Sequence, residues 1–145
     1  MMDTAPFVEI RVTQHFEAST DRVFDAWTDP AQAGLWLFAT ASRPVTRLEI
    51  DARAGGSFRF FEESSGNDIE HAGVYIEFDR PRRLVFTLSG RGRSPGQTRV
   101  SVEIVQAKAG CEVTLVHEGV SPEQASRIEG RWAGMLYGLG TLLGR

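Results

Sequence analysis

The stretch SPEQASRIEGRWAGMLYGLGTLL, residues 121–143, decides the fold. Ser121 stands where an N-cap is wanted, Pro122 where a helix tolerates a missing N–H, and Gln124 at the spacing that completes a capping box. These signals predict a long helix over 122–143. At 100° per residue, Ile128, Trp132, Met135, Leu136, Leu139, Leu142 and Leu143 fall on one face. An apolar stripe of that length needs a broad partner surface.

The chain upstream supplies one. Residues 8–16, VEIRVTQHF, alternate Val8, Ile10, Val12 and Phe16 with polar side chains, which is the period of a strand with one wet face. Six more strands are predicted at 45–52, 57–64, 69–79, 83–90, 98–106 and 111–118. Gly55-Gly56, Ser65-Gly66-Asn67, Arg80-Pro81, Ser94-Pro95-Gly96 and Ala109-Gly110 punctuate them. Connections this short require antiparallel neighbours.

Two short helices interrupt the strands early. Ser19 can cap the first, with Asp21 in its first turn and Val23, Phe24 and Trp27 on its apolar face. Asp29-Pro30 restarts the chain as a second helix through about Leu37. An antiparallel sheet with one wet face must cover the other, and only the C-terminal helix is long enough. The expected architecture is therefore α+β: a strongly curved, antiparallel seven-stranded sheet wrapped on a long C-terminal helix. The two short helices sit between the first and second strands, and a gap between sheet and helix is the expected cavity.

Bulk properties narrow the function classes. A chain of 145 residues falls within the usual size of one domain, so a single domain over 1–145 is expected. With 41% hydrophobic and 24% charged residues it reads as an ordinary globular protein. A net charge of -3 argues against nucleic acid as a partner. Arg80, Arg82 and Arg83, and Arg91 and Arg93, fall on predicted turns and read as solvated loops. The lone Cys111 can form no internal disulfide and suits a reducing compartment. No basic leader with an apolar run, and no apolar stretch of about 18 residues, is present, so a cytoplasmic protein without membrane insertion is expected.

At this point the residues resemble a known family. VFDAWTDPAQAGLW, GGSFRFFE, GVYIEFDRPRRLVFT, VTLVHEGV and the helix carrying Trp132, Leu136, Leu139 and Leu142 recur in this order. The chain is similar, from about residue 8 to 143, to bacterial homologues of the C-terminal domain of the activator of heat-shock protein 90 ATPase. Those proteins belong to the START-like, or SRPBCC, superfamily of helix-grip folds. The resemblance implies a cavity for a hydrophobic or amphipathic small molecule, and through its namesake it suggests a stress-response setting. It implies no particular reaction. Relatives commonly carry paired tryptophans where this chain has Trp36-Leu37, and Gly-Pro where it has Phe38-Ala39. That departure is where a ligand preference of this chain's own is expected.

The expected cavity wall follows from these patterns. The short-helix corner contributes Trp36 and Phe38, and the strands contribute Phe60, Phe86 and Leu115. The alternation at 74–78 places Val74, Ile76 and Phe78 inward and leaves Tyr75 and Glu77 in solvent. The long helix adds Trp132, Met135, Leu136 and Leu139. For Trp36, Phe38 and Trp132 core packing and ligand lining stand as equal readings, while Phe24 and Trp27 read as core.

His117 is the one weak catalytic candidate. It shares strand parity with Val113 and Leu115 and so faces inward near the start of the long helix. It is either a hydrogen-bonding partner or general base at the cavity mouth, or a structural tie between strand and helix, and the second reading is favoured. Neighbours on a strand face opposite ways, which argues against His117–Glu118 and Glu70–His71 dyads. His15, His71 and His117 have no ligand-like spacing, so no metal is expected, and no cofactor motif is present. GRGRSPG joins two strands and reads as a hairpin loop rather than a phosphate loop.

Gly130, Gly134 and Gly138 recur every fourth residue of a helix, at about 1 kcal/mol each against Ala. Two readings stand: a homodimer contact, or close packing by the chain's own loops. Taken together, the sequence favours binding of a hydrophobic small molecule over a cyclase- or hydrolase-type enzyme in the same cavity. A co-chaperone-like interaction domain is the third reading, and no chaperone partner is demonstrated by the residues themselves.

Overall fold

The computed structural model describes residues 7–38, 45–62, 69–90 and 97–144. Its elements run β1 (Val8–Phe16), α1 (Thr20–Thr28), α2 (Pro30–Ala33), β2 (Val45–Ile50), β3 (Ser57–Glu62), β4 (Ile69–Asp79), β5 (Arg83–Gly90), β6 (Gln97–Ala107), β7 (Gly110–Val120) and α3 (Ala125–Leu142). The seven strands form one antiparallel sheet in the order β1-β7-β6-β5-β4-β3-β2. This is the α+β helix-grip architecture, with α3 laid on the concave face. β1 and β2 are opposite edges, so α1 and α2 carry the chain from one edge to the other.

Local chemistry explains the helix boundaries. Ser19 Oγ accepts from the Arg22 N–H at 3.2 Å, and Asp29 Oδ1 accepts from the Ala31 N–H at 3.0 Å. α2 ends at Ala33 and continues only as turns to Phe38, which takes φ 60° and cannot prolong a right-handed helix. α3 starts three residues later than the capping box predicts. Ser121 Oγ donates to Glu123 Oε1 at 3.0 Å instead of capping, and the Gln124 N–H closes a tight turn on Ser121 O. The N-cap position falls to Gln124, which makes no side-chain cap bond.

Long-range polar ties fix the helices on the sheet. Gln14 Nε2 donates to Leu136 O at 3.2 Å, joining β1 to α3. Arg80 grips Asp25 of α1 with two bonds, Nε to Oδ1 at 2.8 Å and Nη2 to Oδ2 at 2.9 Å. Arg80 is therefore a clamp between the β4–β5 turn and α1, where the sequence reading has only a solvated loop. Arg82 and Arg83 are also paired, with Asp79 and with Glu77 and Glu103. Arg91 and Arg93, and most of the GRGRSPG loop, lie outside the described residues.

The strict alternation read for β4 fails in its middle. A bulge between Tyr75 and Glu77 inserts an extra residue opposite β5, where Tyr75 pairs with Phe86 but Glu77 with Val85. Tyr75 and Phe78, an odd number apart, consequently both turn toward the core. Tyr75 is 3% exposed, whereas Val74 and Ile76 are 42% and 40% exposed on the outer face. The predicted inward placement of Val74 and Ile76, and outward placement of Tyr75, is thereby corrected. Glu77 is exposed, and Phe78 packs edge-on against Phe24 at 5.2 Å.

Candidate functional site

Among the described residues, a cavity of about 10 Å³ lies between the sheet and the α1–α2 corner, walled by Trp27, Leu37, Phe38, Phe58, Phe60, Tyr75, Leu84 and Phe86 and by no residue of α3. That is room for about one water centre, and the wall is almost wholly apolar. Aromatic rings meet here largely edge to face, as Phe58 does on Phe86 at 5.3 Å and 89°. Burial pushes the Tyr75 phenol well above its ordinary value, with the Asp51 charge adding to the effect. On this wall, Trp27 Nε1 is buried without a hydrogen-bond partner.

At one end of this cavity lies a polar cluster. Glu62 follows Phe58 and Phe60 on the inward face of β3 and is 1% exposed. His71, 2% exposed, sits opposite Phe60 on β4, so it meets Glu62 diagonally across the ladder. His71 Nε2 donates to Glu62 Oε1 at 2.8 Å, and Arg131 of α3 donates to the same oxygen at 3.0 Å. Burial alone would raise the Glu62 carboxyl, but the hydrogen bonds from His71 and Arg131 outweigh it and hold it below its ordinary value. The Phe38 ring lies parallel on the His71 imidazole, 4.7 Å away and tilted by 5°.

A second buried network ties β6 and β7 to α3. Trp132 Nε1 donates to His117 Nδ1 at 3.0 Å, His117 Nε2 pairs with Thr98 Oγ1 at 2.7 Å, and the Thr98 hydroxyl donates to Leu88 O at 3.2 Å. An indole N–H only donates, so Nδ1 is the acceptor and Nε2 carries the proton toward Thr98. Both ring nitrogens of His117 are thus engaged by neighbours.

Residues 17–144 match the family described as activator of Hsp90 ATPase homolog 1-like protein. The chain belongs to this family. A comparison with curated proteins finds no match. Among solved structures, the Hsp90-activator-like chain is similar to a protein from Chromobacterium violaceum, at 24% identity and TM-score 0.84, covering 92% of this chain and 96% of that one. It is similar to an AHSA1-like protein from Aeromonas hydrophila, at 20% identity and TM-score 0.80, covering 92% and 90%. CalU16 from Micromonospora echinospora matches at 23% identity and TM-score 0.70, covering 93% and 75%. These identities speak to the START-like helix-grip fold alone.

Within this Hsp90-activator-like fold, the residues singled out by sequence separate into groups. Phe38, Phe60 and Phe86 stand on the cavity wall. Leu115, His117, Trp132, Met135, Leu136 and Leu139 are buried beside it in the core rather than on that wall. Trp36 is a core tie: its Nε1 donates to Ala26 O at 2.9 Å, and its ring stands edge-on to Trp27 at 4.6 Å. Val74 and Ile76 are on the far face of the sheet.

Sequence reasoning misses Trp27, Leu37, Phe58, Tyr75 and Leu84 on the wall, and Glu62 and Arg131 in the cluster. A signal for Glu62 exists in SFRFFE, where it shares parity with Phe58 and Phe60. The register that brings His71 to it has no trace in a single chain. Among the described residues, a Cβ added at Gly130, Gly134 or Gly138 would meet nothing within 4 Å. The glycine stripe is therefore bare, and packing by the chain's own described loops does not explain it. No helix among the described residues is long and apolar enough to cross a membrane.

Proposed function

We propose that this chain binds a hydrophobic or amphipathic small molecule in the cavity between the sheet and the α1–α2 corner, beside the core face of α3. The observation that carries this reading is Trp27, whose N–H is buried without an acceptor on a side chain that walls an apolar, aromatic cavity. Leaving such a group unpaired costs on the order of 1–3 kcal/mol. A ligand oxygen that accepts this hydrogen bond recovers the loss. The START-like fold supports the reading, since it typically binds hydrophobic ligands.

The cavity of about 10 Å³ admits no such ligand without side-chain movement, so binding is an opening event. Acid–base catalysis is not part of this reading, because His117 spends both ring nitrogens on Thr98 and Trp132. The buried, unpaired Cys111 supports a reducing compartment.

Native mass spectrometry of protein purified from its own host tests the proposal. The expected result is a bound apolar compound that is released on denaturation. Trp27, Trp36 and Trp132 lie within 6.2 Å of one another along the Trp27 contacts, so indole fluorescence reports the same event in vitro. Reproducibly ligand-free protein whose fluorescence ignores a panel of lipids and aromatic compounds would end this reading.

A further inference from the structure

We propose that Phe38 is a built-in occupant of a ring-binding site over His71, and that the ligand is a flat aromatic compound bearing an acceptor oxygen, which takes the Phe38 ring's place. This rests on the preceding reading and names the ligand class and the gate of the same site.

Space makes the first argument. A cavity of about 150 Å³ is what a dry protein interior needs to hold a benzene-sized guest. Among the described residues, the cavity that Phe38 walls holds about 10 Å³. The shortfall is on the order of one aromatic side chain, so a ligand enters this cavity only as a wall residue leaves.

The wall residues differ in how they are held. Phe58, Phe60, Tyr75, Leu84 and Phe86 are fixed in strand ladders, and Trp27 lies inside α1. Only Leu37 and Phe38 belong to the turn after α2. Leu37 keeps a helical bond to Ala33 O at 2.9 Å. Phe38 adopts φ 60°, a conformation that costs a residue with a Cβ on the order of 1 kcal/mol or more. Its N–H meets the thioether of Met135 at 3.1 Å, a weak acceptor in place of a carbonyl. Swinging Phe38 outward relieves the strain and gives up little hydrogen bonding.

What lies beneath Phe38 is shaped for a ring. The His71 imidazole forms a flat floor parallel to it, and Glu62, itself held by Arg131, keeps that floor in place. Phe60 stands edge-on at 5.2 Å and 75°, and Trp132 at 6.0 Å and 61°. Phe58 is also near-parallel to the Phe38 ring, at 6.5 Å and 13°, and parallel faces joined to edge-on walls are the geometry that aromatic guests prefer. Trp27, whose buried N–H has no partner, stands on the wall of the same cavity, and we assign that donor to an acceptor oxygen on the ligand.

The test uses 2-acetylnaphthalene as probe, with naphthalene and 2-decanone as comparators, on the full isotope-labelled chain by NMR. In the free protein, ring protons of Phe38 and His71 should show mutual nuclear Overhauser effects. Saturation with 2-acetylnaphthalene should abolish them and replace them with contacts from naphthyl protons to His71. Phe38→Ala should bind the probe at least tenfold more tightly, since no ring has to leave. Phe38→Leu, which keeps an apolar side chain without a ring, serves the same purpose should the alanine variant not fold. Trp27→Phe should weaken 2-acetylnaphthalene about three- to tenfold while leaving naphthalene unchanged. Persistence of the Phe38–His71 contact in the bound state, or equal affinity in a folded Phe38 variant, overturns the plug. Tighter binding of 2-decanone than of the naphthyl ketone overturns the ligand class while the preceding reading stands. Absence of binding by every form, with nothing co-purifying, sinks both.

Discussion

The Trp132 indole donates its N–H to His117 Nδ1 at 3.0 Å, and through this bond α3 is pinned to β7 inside the core. Because the bond fixes Nδ1 as an acceptor, the imidazole stands as the Nε2–H tautomer, and Thr98 takes that proton's bond at 2.7 Å. A residue with the strand parity of a general base is thereby a structural strut.

Trp132→Phe keeps an aromatic ring in place but withdraws the donor from His117. We expect a loss of about 1–3 kcal/mol, read as a lower urea midpoint with an unchanged slope. In a chain of this length that corresponds to a fall in Tm of several degrees. An unaltered midpoint would show that the strut contributes nothing.

Glu62 gives the stability of the protein an acid limb. Its carboxyl is held below its ordinary value of 4.5 by His71 and Arg131, against the opposing effect of burial. The unfolded state therefore binds more protons around that pH, and stability rises with pH. The Glu62 contribution is fully present above the unfolded value and is lost as pH falls through the lower folded one. Glu62→Gln should cost about 1–3 kcal/mol near neutrality, and its gap from the parent should narrow below about pH 4.5. Denaturant titrations across this range check it; a gap that widens on acidification contradicts the assignment.

Much of the fold was legible because its signals are local. The period of two in VEIRVTQHF, the caps at Ser19 and Asp29, and the apolar face of 121–143 each depend on residues near one another in sequence. The cavity wall was less legible, because its composition depends on register. A single bulged residue in β4 exchanged Val74 and Ile76 for Tyr75, and no local pattern announces a bulge. The Glu62–His71–Arg131 cluster draws on β3, β4 and α3 together, and only the folded pairing brings them within hydrogen-bonding distance.

The bulge makes its own prediction. Tyr75→Ala removes a buried ring and should cost about 3–5 kcal/mol, as large aromatic truncations do. Ile76→Thr alters the exposed outer face and should change stability by about 0.5 kcal/mol or less. Parallel denaturation of the two variants decides the matter, since uninterrupted alternation with Ile76 inward requires the reverse order.

Two glycines of opposite setting complete the set. A Cβ at Gly73 would collide with the backbone carbonyl oxygen of Thr87 and come within 2.7 Å of Phe58 Cζ, while one at Gly134 would touch nothing within 4 Å among the described residues. A clash with backbone cannot be relieved by a rotamer change, so β4 would have to separate from β5 or Phe58 from the cavity wall. Gly73→Ala should therefore lose more than about 2 kcal/mol, in the range of overpacked cores. Gly134→Ala lies in a helix with open space around it and should gain up to about 1 kcal/mol from helix propensity. Sedimentation of the Gly134 variant beside the parent adds a second readout. If another copy of the chain covers the stripe in solution, the added methyl group should weaken self-association while the folded monomer is stabilised. Gain in monomer stability with no change in sedimentation leaves the stripe a bare surface.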